Sequence, residues 1–497
     1  PLGRFWLGVF HEISRAVAPV ESGDSLNCGD NPFVTIHARA GSAVAFALTV
    51  LLVGVFASQR WGRLAGMTSS ISLAVMPRLF GHAHLASLET CMGLVWTAAI
   101  LGTIQVWTRP GKKDSSLDFE PTSAAVTRPD SPGDKAALLC GLLIGLALLT
   151  KMQAVLLPPL IAVWAVWHWR LAAVRPLLVS GVSASVVFVA GWPWLWLDLP
   201  GHLSEYFGRS TGRVSLNVWY LGEAFRDVDV PWHYPWVMTF VTVPVGILLL
   251  AAVGMWGARR KVLNDPVSSL ILGSVVAPLV LFSLPGVAVY DGARLFLVVF
   301  PGIAVLAGSS VVSIRAWQPR FKLPVTATMA VVLAAQTVGI LSTTPYFLSY
   351  YNATVGGTAG AERLGFEVTY WGDSFSREFL ANLKNTVGSN AVLVAPVLHQ
   401  FQLEELERQI PSLARPTSLA GPRLVPFRGD GETGLPWRNG ERQSGATTEY
   451  LAVFHRRADA PSVESIEQSG WEFVSSVSCQ NVAVASLWRR TGAAFVR

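Results

Sequence analysis

Charge is what this sequence has least of. Only 14% of its 497 residues are Asp, Glu, Lys or Arg, against 51% hydrophobic, and the mean hydropathy is +0.43. A soluble domain carries roughly a quarter charged residues, so a soluble chain is excluded. Cysteine is scarce too: four residues without metal-ligand spacing, Cys91 and Cys140 in apolar runs, Cys28 and Cys479 in polar segments. That excludes a cysteine-based zinc site and leaves a Cys28–Cys479 disulfide open. The C-terminal part has neither a glycine loop followed by Lys nor an HExxH, so nothing marks it as an independent enzyme. No internal repeat is visible. The chain opens at Pro1 without Met or an apolar signal, so it is expected to be a fragment whose true N-terminus is missing. The net charge of +6 is modest, and basic residues of membrane proteins gather in cytoplasmic loops, so it does not argue for nucleic acid as a partner.

What the sequence does have is apolar runs, recurring from about residue 38 to 342, followed by a segment of ordinary polarity. The expected fold class is a polytopic α-helical membrane protein with a small C-terminal extracytoplasmic α/β domain. Three parts follow: an amphipathic juxtamembrane segment and loop (1–37), a transmembrane domain (38–342) and the α/β domain (343–497). Runs at 38–57, 64–79, 85–107, 136–150, 152–167, 176–197, 234–256, 267–285, 294–312 and 324–341 make about ten spans, each measured against the roughly 20 residues a crossing needs. Residues 108–135 and 198–232 read as polar connections. Lys151 interrupts its run, either at a turn between two short helices or within one long kinked helix. If Arg60 and Arg63 face the cytoplasm, alternation puts Arg170, Arg175, Arg259, Arg260, Lys261, Arg315, Arg320 and Lys322 there as well, which satisfies the positive-inside rule. The opposite face then receives the 1–37 segment, His82, His84, Glu89, Lys151, Asp291, Arg294 and the C-terminal domain.

Ionisable groups at the borders of apolar segments are functional candidates. Glu89, with His82 and His84 just upstream, offers a carboxylate at the mouth of a helix bundle that can orient or deprotonate an acceptor hydroxyl or amine, assisted by imidazole. A metal held by the two histidines and Glu89, and plain solvation at headgroup level, stay open. Lys151 and Arg294 suit a lipid phosphate, one as a point charge and one as a bidentate fork. Snorkelling of Lys151, and an ion pair of Arg294 with Asp291, are the bland alternatives. Arg209 and Arg213 stand one helical turn apart in a polar loop and join the candidate phosphate ligands.

The segments Pro1-Leu-Gly-Arg4, Phe80-Gly-His-Ala-His84 with Glu89, Gly145-Leu-Ala-Leu-Leu-Thr-Lys151, Pro231-Trp-His-Tyr-Pro235, Tyr290-Asp-Gly-Ala-Arg294, Tyr350-Tyr-Asn-Ala-Thr-Val-Gly-Gly357 and Tyr370-Trp-Gly372 occur in an order that resembles the C superfamily of membrane glycosyltransferases (GT-C). The resemblance is to the branch of protein O-mannosyltransferases and aminoarabinose transferases (family 39-like). It covers nearly the whole chain and implies a polyprenyl-phosphate sugar donor, an acceptor bound on the outer face, and inversion at the anomeric carbon with a carboxylate as base. It places the principal catalytic carboxylate upstream of Pro1, leaving Glu89 to match the second acidic position, where Asp is more usual. It implies no cofactor beyond the lipid-linked sugar phosphate, a multi-pass location in the cell inner or plasma membrane, and membrane lipid and an unspecified acceptor as partners; metal dependence is left open. The rival classes are a membrane transporter or lipid flippase, which would show paired broken helices in two related halves, and a scaffold presenting its external domain.

Overall fold

The computed structural model describes residues 1–17, 35–109, 131–211, 215–259, 263–317, 324–388, 390–396, 398, 400–410, 424–426, 449–460 and 462–491. Five helical stretches among them are long and apolar enough to cross a membrane: Ile36–Trp61, Leu88–Trp107, Met152–Ala190, Arg294–Trp317 and Val325–Thr343. The chain is a multi-pass membrane protein. A sixth crossing results if Tyr234–Thr242 and Val245–Ala258, bent by 111° at their junction, count as one.

The difference from the ten apolar runs has a local cause. The runs at 64–79, 136–150 and 267–285 form helices of 12, 17 and 16 residues. The run at 152–167 and most of that at 176–197 fall within the single stretch Met152–Ala190, interrupted at Arg170 by a backbone φ of 56°. Apolar length alone does not reveal where a helix stops. The 198–232 stretch, expected as a polar loop, contains the helix Leu199–Thr211 and a hairpin of β1 (Asn217–Tyr220) and β2 (Glu223–Arg226). Tyr220 carries that hairpin onto the bundle, its ring 4.8 Å from Tyr234 and 5.7 Å from Phe366.

Because lipid tails supply no hydrophobic drive between helices, close packing of small residues does that work. At Gly254 a Cβ would run into the carbonyl of Leu306, so Val245–Ala258 and Arg294–Trp317 approach backbone to backbone. Arg294–Trp317 is the innermost crossing, whereas Val325–Thr343 turns Val331, Val338 and Leu341 outward at 60–72% exposure, as a lipid-facing helix does. At the other end of the chain, Leu2–Val17 leaves Phe5, Val9 and Ile13 exposed and buries Gly3 and His11. Its Trp6 indole donates to the Gly41 carbonyl at 2.7 Å.

Beyond Thr343 a connecting segment leads to a five-stranded sheet. β3 (Val392–Ala395), β4 (Leu424–Pro426), β5 (Tyr450–Phe454), β6 (Trp471–Cys479) and β7 (Val482–Arg490) lie in the order β4-β3-β5-β7-β6, parallel across β4, β3 and β5 and antiparallel across β5, β7 and β6. β5 is buried at every position, which is why it reads as a continuous apolar run rather than an alternation. One face is covered by Arg377–Val387 and Gln400–Gln409, the other packs Ile466, Trp471 and Trp488. Ser376 and Ser462 cap their helices by accepting from Phe379 N at 3.3 Å and Ser465 N at 3.2 Å. Cys479 packs against Thr358 at 3.9 Å, and Cys28 lies outside the described residues.

The bent helix pair is held open by Asn352. Its side-chain amide donates to the carbonyls of Phe240 (2.6 Å) and Val243 (2.8 Å), and its own N–H donates to Val241 O at 2.8 Å. A break in a buried helix orphans carbonyls that must find donors. Asn352→Ala leaves two of them without the amide, which is expected to cost about 2–4 kcal/mol. A lowered thermal midpoint in detergent checks this, and an unchanged midpoint contradicts it.

Candidate functional site

Three helix ends meet around one carboxylate. Glu89 lies in the first turn of Leu88–Trp107, where the helix dipole favours a negative charge. Lys151 is extended (φ −156°, ψ 147°) between the end of Asp134–Thr150 and the 3-10 turn Met152–Leu156. Of the two paths open for this segment, the chain takes the break, with the lysine at its corner. Arg294 opens the 3-10 turn Arg294–Val299, after Asp291 and Gly292 at φ 57° and 64°. A Cβ at Gly292 would meet Arg78 and Tyr370 at 2.6 and 2.9 Å, so both the left-handed backbone and the space require glycine there.

The distances are those of ion pairs. Glu89 Oε1 accepts from Lys151 Nζ at 3.0 Å and from Arg294 Nε at 2.6 Å. Glu89 Oε2 is buried with no partner among the described residues. Arg294 also donates from Nη1 to Asp291 Oδ2 at 2.9 Å, and Trp371 Nε1 donates to the same oxygen at 2.6 Å. The other Asp291 oxygen accepts from Arg456 Nη2 at 3.2 Å. The Trp371 ring lies 3.8 Å under the Arg294 guanidinium, a cation–π contact that survives burial. Trp371 pays for this position with a φ of 61°, a conformation a bulky residue rarely adopts.

His82 completes one side, its ring edge-on to Trp371 at 5.7 Å. Next to it Arg78 is 2% exposed, stacked 4.5 Å from Tyr351 and 5.0 Å from Tyr370, with Nε donating to Tyr350 O at 3.0 Å. Arg78, His82, Asp291, Tyr370 and Trp371 line a cavity of about 10 Å³, room for one water-sized group. Arg78 Nη2 and His82 Nδ1 are buried there without a partner among the described residues. An unsatisfied buried guanidinium N–H asks for an acceptor.

Not every candidate is brought in. His84 is exposed, its Nδ1 2.8 Å from the Phe80 carbonyl and its ring against Phe80 and Phe347. A triad of His82, His84 and Glu89 does not form, and among the described residues no three His, Cys, Asp or Glu side chains gather as a metal ion requires. Arg213 lies outside the described residues, as does the side chain of Arg209. Two residues enter that the sequence did not single out. Arg78 carried a signal, a cation inside the apolar run 64–79, whereas Arg456, in an ordinary polar turn after β5, carried none.

Two more carboxyls are buried in the connecting segment. Burial pushes Glu367 up to about 7, although it accepts from Val368 N (3.2 Å) and Ala458 N (3.1 Å), and pushes Asp373 up to about 7 as well. The cluster gathers four cations, Lys151, Arg294, Arg456 and Arg78, with the three carboxylates that pair with them, Glu89, Asp291 and Asp459.

No protein-family model matches the chain, and no curated protein matches it. Solved structures similar to it include ArnT from Cupriavidus metallidurans in the apo state, with a TM-score of 0.49 and 12% identity over 97% of this chain and 86% of that one. The same protein bound to undecaprenyl phosphate gives a TM-score of 0.41 and 15% identity over 98% and 87%. The archaeal oligosaccharyltransferase AglB from Archaeoglobus fulgidus, in complex with an inhibitory peptide and a dolichol-phosphate, gives 0.43 and 11% over 90% and 61%.

Glu367 and Asp373 set a pH dependence. Between their ordinary values of 4.5 and 3.8 and about 7, the unfolded chain has released protons that the folded chain keeps, so stability falls as pH rises through that window. The thermal midpoint of Glu367→Gln is expected to decline less between pH 5 and pH 7 than that of the unaltered protein. Parallel declines contradict the assignment.

Proposed function

We propose that this protein is a glycosyltransferase of the C superfamily, moving a sugar from a polyprenyl-phosphate donor to an acceptor on the extracytoplasmic face of the membrane. The observation that carries this reading is the buried cluster at the ends of apolar helices, where Lys151, Arg294, Arg456 and Arg78 outnumber the paired carboxylates Glu89, Asp291 and Asp459, and Arg78 Nη2 has no partner among the described residues. Such a surplus, held in a low dielectric, suits an anion that arrives with the lipid. The order of sequence motifs resembling the family supports the same reading, since Glu89, Lys151, Asp291, Arg294 and Trp371 all come from those motifs.

In the reaction the acceptor oxygen or nitrogen attacks the anomeric carbon from the face opposite the phosphate. The bond from that carbon to the phosphate oxygen breaks, and the electron pair leaves with the polyprenyl phosphate. Lys151 and Arg294 hold the phosphate and stabilise the charge it gains, the term with the greatest leverage in transfers of this kind. Glu89 cannot itself be the carrier of that charge. Its Oε1 keeps the two cations in register, while Oε2, without a partner among the described residues, orients the acceptor from the second acidic position, and the acceptor's proton passes to the carboxylate base that the family resemblance implies. His82 lines the acceptor side, and the C-terminal α/β domain stands over the cluster on the outer face.

Transfer of labelled sugar from a polyprenyl-phosphate donor by the full-length protein tests this. Glu89→Gln and Lys151→Ala are each expected to lower kcat/KM by roughly 100-fold or more, as loss of a buried charge partner does. His82→Ala should lower it less, and His84→Ala should leave it within about twofold. Undiminished transfer in both Glu89→Gln and Lys151→Ala would overturn the assignments, and movement of intact donor across the bilayer without sugar release would favour the flippase class.

A further inference from the structure

Asp291 has two cations to serve, and one of them comes from the far end of the chain. Arg456 stands just past β5, after His455, in a turn fastened to the rest of the molecule. Its Nη1 pairs with Asp459 at 3.0 Å, and Asp459 accepts from Asn217 Nδ2 at 3.1 Å. Neighbouring Arg457 pairs with Glu362 at 2.7 Å, and Ala458 N donates to Glu367 at 3.1 Å. The Arg456 side chain is 16% exposed and reaches Asp291 Oδ1, while Asp291 Oδ2 serves Arg294 and Trp371.

We propose that Arg456 is a positioning residue for the anion site, setting the charge and orientation of Arg294 through Asp291, so that the C-terminal sheet is a structural part of that site. The proposal rests on the glycosyltransferase reading, which supplies the phosphate. The physical argument is one of shared charge. Asp291 is divided between two guanidiniums that each have a second carboxylate, Glu89 for Arg294 and Asp459 for Arg456, so it engages Arg294 through one oxygen only and leaves the Arg294 Nε on Glu89. With Arg456 removed, both Asp291 oxygens become available to Arg294, whose fork fits a carboxylate bidentately. Arg294 is then drawn toward Asp291 and away from Glu89, and its charge is spent within the protein.

A second fastening lets docking be separated from positioning. The turn between β6 and β7 places Gln480 against the membrane part, accepting from Thr358 N at 2.8 Å and donating to Ser342 Oγ at 3.1 Å, without touching Asp291. The test measures binding of undecaprenyl phosphate to full-length protein in nanodiscs, together with donor KM and kcat. Arg456→Met is expected to weaken binding and raise donor KM by about tenfold with a smaller change in kcat, the pattern of a lost ground-state contribution. Arg456→Lys should recover most of the loss and Gln480→Ala should bind as the unaltered protein does. Adding Arg456→Met to Asp291→Asn should produce no further loss, because the shared carboxylate is gone. An equal loss in Gln480→Ala shows that only docking matters and overturns the proposal, as does full-strength binding by folded Arg456→Met. If the unaltered protein binds no polyprenyl phosphate, both this proposal and the functional reading beneath it fall, whereas binding that is indifferent to Arg456 removes this proposal alone.

Discussion

The structure is organised by the need to keep the buried carboxylate of Glu89 ionised. An isolated charge in a helix bundle costs several kcal/mol, and only close countercharges and hydrogen bonds offset it. Glu89 Oε1 receives two, from Lys151 at 3.0 Å and Arg294 at 2.6 Å. Their positions lie 62 and 205 residues from Glu89, so three separate helices must end at one level for either contact to exist. A helix that began a turn earlier or later would displace its charge by about 5 Å and strand the others.

That requirement explains features that otherwise look like defects. Lys151 sits extended at a break in an apolar run, and from there its side chain reaches Glu89. Asp291 and Gly292 take left-handed backbone conformations where the chain enters the turn that lays the Arg294 guanidinium over Trp371. Trp371 adopts an unfavourable φ itself, and the indole N–H bond to Asp291 and the stacking on Arg294 are what hold it there. The glycines of Tyr290-Asp-Gly-Ala-Arg294 and Tyr370-Trp-Gly372 thus serve geometry, and the charged and aromatic residues between them serve the site.

The rest of the fold transmits this arrangement rigidly. Asn352 closes the break between Tyr234–Thr242 and Val245–Ala258, and small residues let Val245–Ala258 lie against the central Arg294–Trp317 helix. The connecting segment therefore starts from a fixed point and delivers Trp371 to Asp291. The sheet that follows is tied down by the turn around Arg456 and by Gln480. A polar turn of that sheet consequently reaches a charge buried at the end of the membrane helices.

Much of this was legible in one dimension. Low charge and long apolar runs specify a membrane bundle, because no soluble packing hides that much apolar surface. Sparse ionisable residues at run borders marked Glu89, Lys151, Asp291 and Arg294, since a charge is not retained beside lipid without a use. Other features depend on distances between remote residues. Helix ends set by packing decided that five stretches among the described residues, or six with the bent pair, are long and apolar enough to cross, and a difference in direction of about half a helical turn separated His82, beside Trp371, from His84, against Phe347. Arg78 resembles a misplaced interfacial cation until two tyrosines close over it, and Arg456 resembles any surface arginine until the sheet docks. The sequence by itself determined which residues could afford to be charged; only the tertiary structure decided which charges meet, because Coulombic pairing falls off within a few ångströms and those ångströms are set by packing.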